Sequence, residues 1–264
     1  HAGAPGGFYY SDFASVFPNG APETFASSFG WEQYEAEVGG TNYLCQRSFP
    51  PCPRSLCEIW YAPNHVRAWS RVAYDRAGGY DAKMEIGDDH DLVCRTYLTG
   101  LPFVHLSQPL YLYRRVIDPK TTNSFVAAGD GVTQANYRTM NKYMHPLVVE
   151  WCRRQKLPML DLGGAHNSPK GFIPVDSEFP PTDLTPWSIG RPGAWRWPAQ
   201  IGGDVMRVLT ALPDSSVGCV RAFDFIEHLP RDQIGQCRAL PFVRDVHSLN
   251  AGHGVEEFTR QVRR

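Results

Sequence analysis

The chain reads as an α/β protein, and three observations predict that class. Residues 159–176 (MLDLGGAHNSPKGFIPVD) set two short apolar runs on either side of a Gly-Gly turn and end the second run on Asp176. Short apolar runs punctuated by glycine have the signature of buried strands. Residues 204–225 supply a helical stretch and a further apolar run from Cys219 to Phe225, the spacing of a βαβ series. Residues 78–100 place Gly78-Gly79 ahead of an acid-rich helix start and Gly100 after its end.

Composition bounds the remaining classes. The 264 residues suffice for one large or two small domains, and 42% hydrophobic with 20% charged content suits a globular chain with a core. A net charge of −1 argues against a nucleic-acid or membrane-surface field, and no run approaches the ~20 apolar residues of a membrane span. No signal peptide is visible and the chain starts at His1 rather than Met, so either processing removed a start or the chain is a fragment; a cytoplasmic location is expected from the reduced thiols that the cysteine spacing predicts. Aromatic residues at 12% and 22 prolines fit loop-rich, aromatic-lined pockets such as sugar sites. Seven cysteines at irregular spacing predict reduced thiols, with a metal or disulfide role for Cys45, Cys52 and Cys57 left as the alternative.

The elements follow in order. Residues 7–12 read as a short strand reaching a polar end at Asp12, and 18–30 as loop or hairpin. Residues 41–57, with Pro50, Pro51 and Pro53, read as an irregular surface loop. An amphipathic helix is predicted over 65–77, ended by Gly78-Gly79. Asp88 to Leu98 forms the next helix, and 102–115 two short strands. Residues 132–156 have helical spacing with Val132, Ala135, Met140, Tyr143, Leu147 and Val148 apolar, and Pro146 is expected to break them into two helices. Leu157-Pro158 ends that stretch, dividing the chain into domains 1–150 and 151–264.

Asp88, Asp89 and Asp91 crowd one helix start, where carboxylates complement the helix dipole. In context they carry more. The pattern GGYD…GDDHDL..R…G…LYLYR resembles the C-terminal half of family 2 glycosyltransferases of the GT-A fold, over roughly residues 7–125. The resemblance implies inverting transfer from a nucleotide sugar to a glycan or protein acceptor. Asp89 would be the general base, Asp88 its supporting acid and Asp91 the cap that orders the helix. Gly78 and Gly79 would let backbone approach the sugar. Arg114 or Arg115 would face the diphosphate, unless they are strand-edge arginines. The divalent cation of that family (Mn or Mg) would bind at a site outside this chain, because few residues precede Tyr10-Ser11-Asp12. The family's downstream His is also missing, as Val116-Ile117-Asp118 follow.

In the second half, Asp176 can accept two hydrogen bonds from vicinal ribose hydroxyls, whereas Ala165 and His166 stand where a dinucleotide fingerprint would place its third glycine. Together with Leu212-Pro213-Asp214-Ser215-Ser216-Val217 and Glu227-His228-Leu229, this segment resembles class I S-adenosylmethionine-dependent methyltransferases over about 158–230. The resemblance implies a Rossmann-like domain, incomplete at its C-terminus, that binds S-adenosylmethionine. Asp161, Gly163 and Gly164 would line methionine and ribose. Asp176 would hold the ribose, Asp204 the adenine side, and Asp224, Glu227 and His228 would face the methyl group. A helix-start acid and a partly exposed His remain the alternative for Glu227 and His228, and Arg260, Arg263 and Arg264 read as solvated. The expected whole is an incomplete GT-A-like half-domain joined to a methyltransferase domain in one bifunctional transferase. The alternatives are methyl transfer alone, or a non-catalytic protein reusing both folds.

Overall fold

The computed structural model describes residues 6–23, 32–59, 62–115, 131–184, 197–213, 216–222 and 225. The chain divides into two compact units, His1–Glu150 and Trp151–Arg264, each mixed α/β.

In the first unit, β1 (Phe8–Val16) is the central strand. Along one edge it pairs antiparallel with β4 (Arg67–Trp69) over Phe8–Tyr10, and with β3 (Thr41–Gln46) over Phe13–Ala14. β2 (Gln33–Val38) extends the sheet beyond β3. Along its other edge β1 pairs in parallel with β5 (Phe103–Arg114). Phe8, Tyr10, Asp12, Ala14 and Val16 share one face of β1, because strand side chains alternate. Phe8 and Tyr10 pack with Leu56 and Cys57 of α1 (Pro53–Glu58), with Val93, Cys94 and Tyr97 of α3 (Asp88–Leu98), and with Tyr143 and Leu147 of α4 (Gly131–Gln155). Fully burying such side chains contributes on the order of 1.5–3 kcal/mol each.

Several expectations need correction. β1 does not stop at Asp12, because the buried pattern continues through Phe13, Ala14 and Val16. Residues 41–57 are not a surface loop, since Thr41–Gln46 is inside the sheet and Pro53–Glu58 is a helix that Cys52 caps. Only Arg71–Arg76 (α2) of the 65–77 segment is helical, because Arg67–Trp69 gives its backbone to β1 instead. The two short strands expected over 102–115 are one strand, and register shifts around Asp12 mark the break that the sequence suggests. Pro146 lies inside a single helix: its missing N–H leaves one turn unbonded, but Tyr143, Leu147 and Val148 are buried on both sides and hold the helix together. The side chains of Val132 and Met140, and the 24–30 half of the hairpin, lie outside what is described.

Among the described residues, the second unit has a four-stranded parallel sheet in the order β8-β7-β6-β9. Its strands are β6 (Met159–Leu162), β7 (Ile173–Asp176), β8 (Ile201–Gly202) and β9 (Cys219–Ala222). The chain steps outward from β6 to β7 and β8, then returns to the far side of β6 for β9. A sheet that changes direction in this way opens a crevice at the carboxyl ends of its strands. Leu160, Val175, Ile201 and Val220 form the core with Val208 and Leu209 of α5 (Val205–Ala211).

Candidate functional site

The crevice of the second unit holds an open cavity of about 140 Å³ lined by Gly163, Asp176, Ser177, Asp204, Val205, Met206 and Phe225. Every lining residue sits at or just past the carboxyl end of a strand: Gly163 follows β6, Asp176 ends β7, Asp204 follows β8 and Phe225 follows β9. Of the sequence-predicted cofactor residues, the structure therefore brings together Gly163, Asp176 and Asp204. Asp176 presents a half-buried carboxylate whose Oδ1 accepts from the Glu178 amide at 3.0 Å. Asp204 caps α5, its Oδ1 accepting from the Arg207 amide at 2.9 Å.

Both turn glycines have physical causes. Gly163 has φ +70°, and a Cβ there would lie 2.5 Å from the Phe225 ring. A Cβ on Gly164 would lie 2.0 Å from Asp161 Oδ2 and 2.4 Å from Ser168 Oγ. Asp161 and Gly164 are not among the residues that line this cavity. Asp161 is fully buried, and its carboxylate is committed to Ser168 Oγ at 2.6 Å and Arg221 Nη1 at 2.8 Å. It ties β6 to β9 and fixes the turn. Asp224, Glu227 and His228 lie outside the described residues.

In the first unit, α3 starts after Gly87, which is left-handed at φ 79° and offers no side-chain cap. Asp89 lies in the first turn with its side chain 33% exposed. Its Oδ2 is ion-paired to Nη1 of Arg67, a side chain only 2% exposed, and its Oδ1 accepts from the His90 amide at 2.8 Å. Arg67 also donates through Nε to the Pro63 carbonyl at 2.8 Å. His65 Nε2 stands 3.9 Å from Asp89 Oδ2, and its ring lies 5.4 Å from that of Tyr111. Burial, and then the Arg67 guanidinium, hold the His65 imidazole below its ordinary pKa. Asp88 is half-buried beside Asp89. Each carboxylate oxygen has two lone pairs, so Asp89 can still accept a hydroxyl proton while these partners keep it oriented.

Other first-unit residues fall in different places. Asp91 is not a helix cap. It is buried, and it accepts from Tyr143 Oη at 2.5 Å, Lys142 Nζ at 2.9 Å and Arg95 Nε at 2.7 Å. Burial alone would raise its pKa, but the bonds from Tyr143, Lys142 and Arg95 hold it below the ordinary value. Gly78 and Gly79, at φ +82° and +67°, end α2; Gly79 is buried against the Tyr74 ring, while Gly78 is exposed beside Arg95. Arg114 and Arg115 are not beside Asp88 and Asp89. Arg114 pairs with Val16 and Arg67 with Tyr10, six residues apart on β1, or about 20 Å along a strand. Arg115 is ion-paired to Glu23 at 2.7 Å.

Sequence reasoning missed Arg67 and His65, which carry no local motif, and a second constellation around Asp12. That carboxylate is fully buried, with Oδ1 taking the Ser48 amide at 2.9 Å and His105 Nε2 at 2.6 Å, and Oδ2 taking Tyr34 Oη at 2.8 Å. His105 stacks on Tyr10 at 4.8 Å, and burial, then Asp12, push the Tyr10 hydroxyl up to about 12.

Five of the six described cysteines are buried and Cys52 is half-buried, with no disulfide among them, while Cys237 lies outside the described residues. Among the described residues, no group of three or more His, Cys, Asp and Glu side chains could hold a metal ion. No described helix is long and apolar enough to cross a membrane. Comparison with protein-family models, curated proteins and solved structures finds no match for this chain.

Proposed function

We propose that the chain is a two-part transferase whose second unit binds S-adenosylmethionine for methyl transfer. The observation that carries this reading is the cavity at the carboxyl ends of four parallel strands, with Asp176 ending the second of them. Asp176 would accept the hydroxyls of a ribose there. Val205, Met206 and Phe225 supply apolar wall, and Asp204 adds a second carboxylate. Two carboxylates, Asp176 and Asp204, face this described wall and favour a cationic ligand. S-adenosylmethionine supplies an activated methyl group on a sulfonium, so the chain's own task is to position that donor and its acceptor.

Titration calorimetry on the full chain tests the assignment. Wild type should bind S-adenosylmethionine, and Asp176→Ala should lose about 1.5–3 kcal/mol of affinity with an unchanged melting curve, the worth of a lost charge-assisted pair. Absence of binding by the wild type would remove the reading.

For the first unit we infer glycosyl transfer, favoured by the oriented, one-third-exposed carboxylate of Asp89. The acceptor oxygen bonds to the anomeric carbon as the bond to the nucleoside diphosphate breaks, its electron pair leaving on phosphate. The hydroxyl proton passes to Asp89.

A further inference from the structure

Tyr80 is a large aromatic residue left 46% exposed, yet it is fixed from several directions. Its amide donates to the Tyr74 hydroxyl at 3.2 Å, and its ring packs against Trp69 at 6.2 Å and Tyr74 at 6.1 Å. Trp69 is itself anchored to α3 by a bond from Nε1 to Thr96 Oγ1 at 2.9 Å. The two left-handed glycines ahead of Tyr80 set its direction, and a Cβ on Gly79 would come within 3.0 Å of the Tyr74 ring.

The surroundings of this ring are charged. Asp89, Asp88 and Arg67 all lie within electrostatic reach of the Tyr80 hydroxyl; burial and the two carboxylates raise its pKa, and the guanidinium opposes them. His65, backed by Tyr111, approaches the same Asp89 carboxylate. Arg67 Nη2 is buried and has no hydrogen-bond partner among the described residues, so one arm of a charged donor is unmet next to Asp89. Unmet buried donors are costly, and they occur where a ligand or water completes them.

We propose that Tyr80 and His65 flank an acceptor subsite centred on Asp89, and that the acceptor is a pyranose sugar. The proposal rests on the glycosyl-transfer reading of this unit. A pyranose ring has an apolar C–H face and a rim of hydroxyls. A fixed, exposed aromatic ring takes the first, while carboxylates and imidazole take the second. A lipid acceptor would instead need an apolar groove, whereas Asp88 and Asp89 keep this surface charged and the neutral imidazole of His65 keeps it polar.

The test uses the full chain on a printed array of pyranose oligosaccharides, followed by fluorescence titration of the best-bound one. Wild type should bind. Tyr80→Ala should lose about tenfold in affinity, the scale of one aromatic contact, while Tyr80→Phe stays within about twofold. Tyr80 is exposed, and an unchanged melting curve for Tyr80→Ala separates lost binding from lost folding. Asp89→Asn should keep oligosaccharide binding within about twofold, since a base acts in transfer and not in binding. No oligosaccharide binding by wild type, or equal binding by Tyr80→Ala, overturns the subsite. Tyr80-dependent binding that Asp89→Asn abolishes keeps the subsite and removes the glycosyl-transfer reading instead, because Asp89 would then be a binding group and not a base.

Discussion

Asp91→Asn separates two accounts of the same residue. A carboxylate that merely completes a helix start is worth about 0.5–1 kcal/mol. The structure makes Asp91 the joint between α3 and α4, with Tyr143 and Lys142 on one oxygen and Arg95 on the other. Lys142 is more than half exposed, so its share is small. The other two partners decide the magnitude. Tyr143 is buried and Arg95 only 23% exposed, and a neutral amide sets a donor against one of them. Hydrogen bonds to charged groups are worth about 1.5–3 kcal/mol, and breaking a buried pair costs about 3–5 kcal/mol. Asp91→Asn should therefore cost about 3 kcal/mol. Urea unfolding of the first unit at pH 7 measures it. The sign with pH follows from the depressed pKa. The stabilisation is present in full above the ordinary value of 3.8 and fades as pH falls through the lower folded value. The deficit of Asp91→Asn relative to wild type should thus be greatest near neutrality and shrink in acid. A cost under about 1 kcal/mol at pH 7, or a deficit that grows in acid, would refute the joint and restore the cap.

Asp89→Asn should reduce glycosyl transfer by about 10²–10⁴-fold while leaving donor binding nearly unchanged, since the amide keeps the shape but cannot take the proton; near-wild-type transfer sinks the assignment. Gly164→Ala should destabilise the second unit by more than about 2 kcal/mol, because the new methyl falls 2.0 Å from Asp161 Oδ2. A melting curve like that of wild type would show that the turn can open, contrary to the close packing described.

Some of this was legible in the sequence for identifiable reasons. Asp88–Leu98 is read correctly because acids crowd its first turn and Gly100 follows its last. The strand, glycine turn and strand of 159–176 are read correctly because the apolar runs are short and Gly163-Gly164 separates them. What failed was governed by tertiary contact. The segment around Arg67 has helical spacing, yet three of its residues pair with β1. Pro146 signals a break, yet burial on both sides overrides it. Asp91 looks like its neighbours at the same helix start, and only the arrival of Tyr143 from 52 residues away gives it a different task. Arg67 and His65 could not be assigned to a site, because nothing local distinguishes a strand arginine that reaches a helix from one that does not.

The carboxylate of Asp12 has a consequence for how the first unit forms. Its partners come from 22, 36 and 93 positions away in the chain. Until all three arrive, a charge in the middle of the central strand has no adequate solvation, so a sheet built without β5 carries an unmet cost. The parallel ladder between β1 and β5 can form only after that longest loop has closed. In the second unit β6 and β7 can meet across a short turn, although the buried Asp161 still waits for Arg221 from 60 positions away. Topology thus sets two tempos in one chain: a local assembly that can begin early, and a long-range one that waits for its most distant histidine.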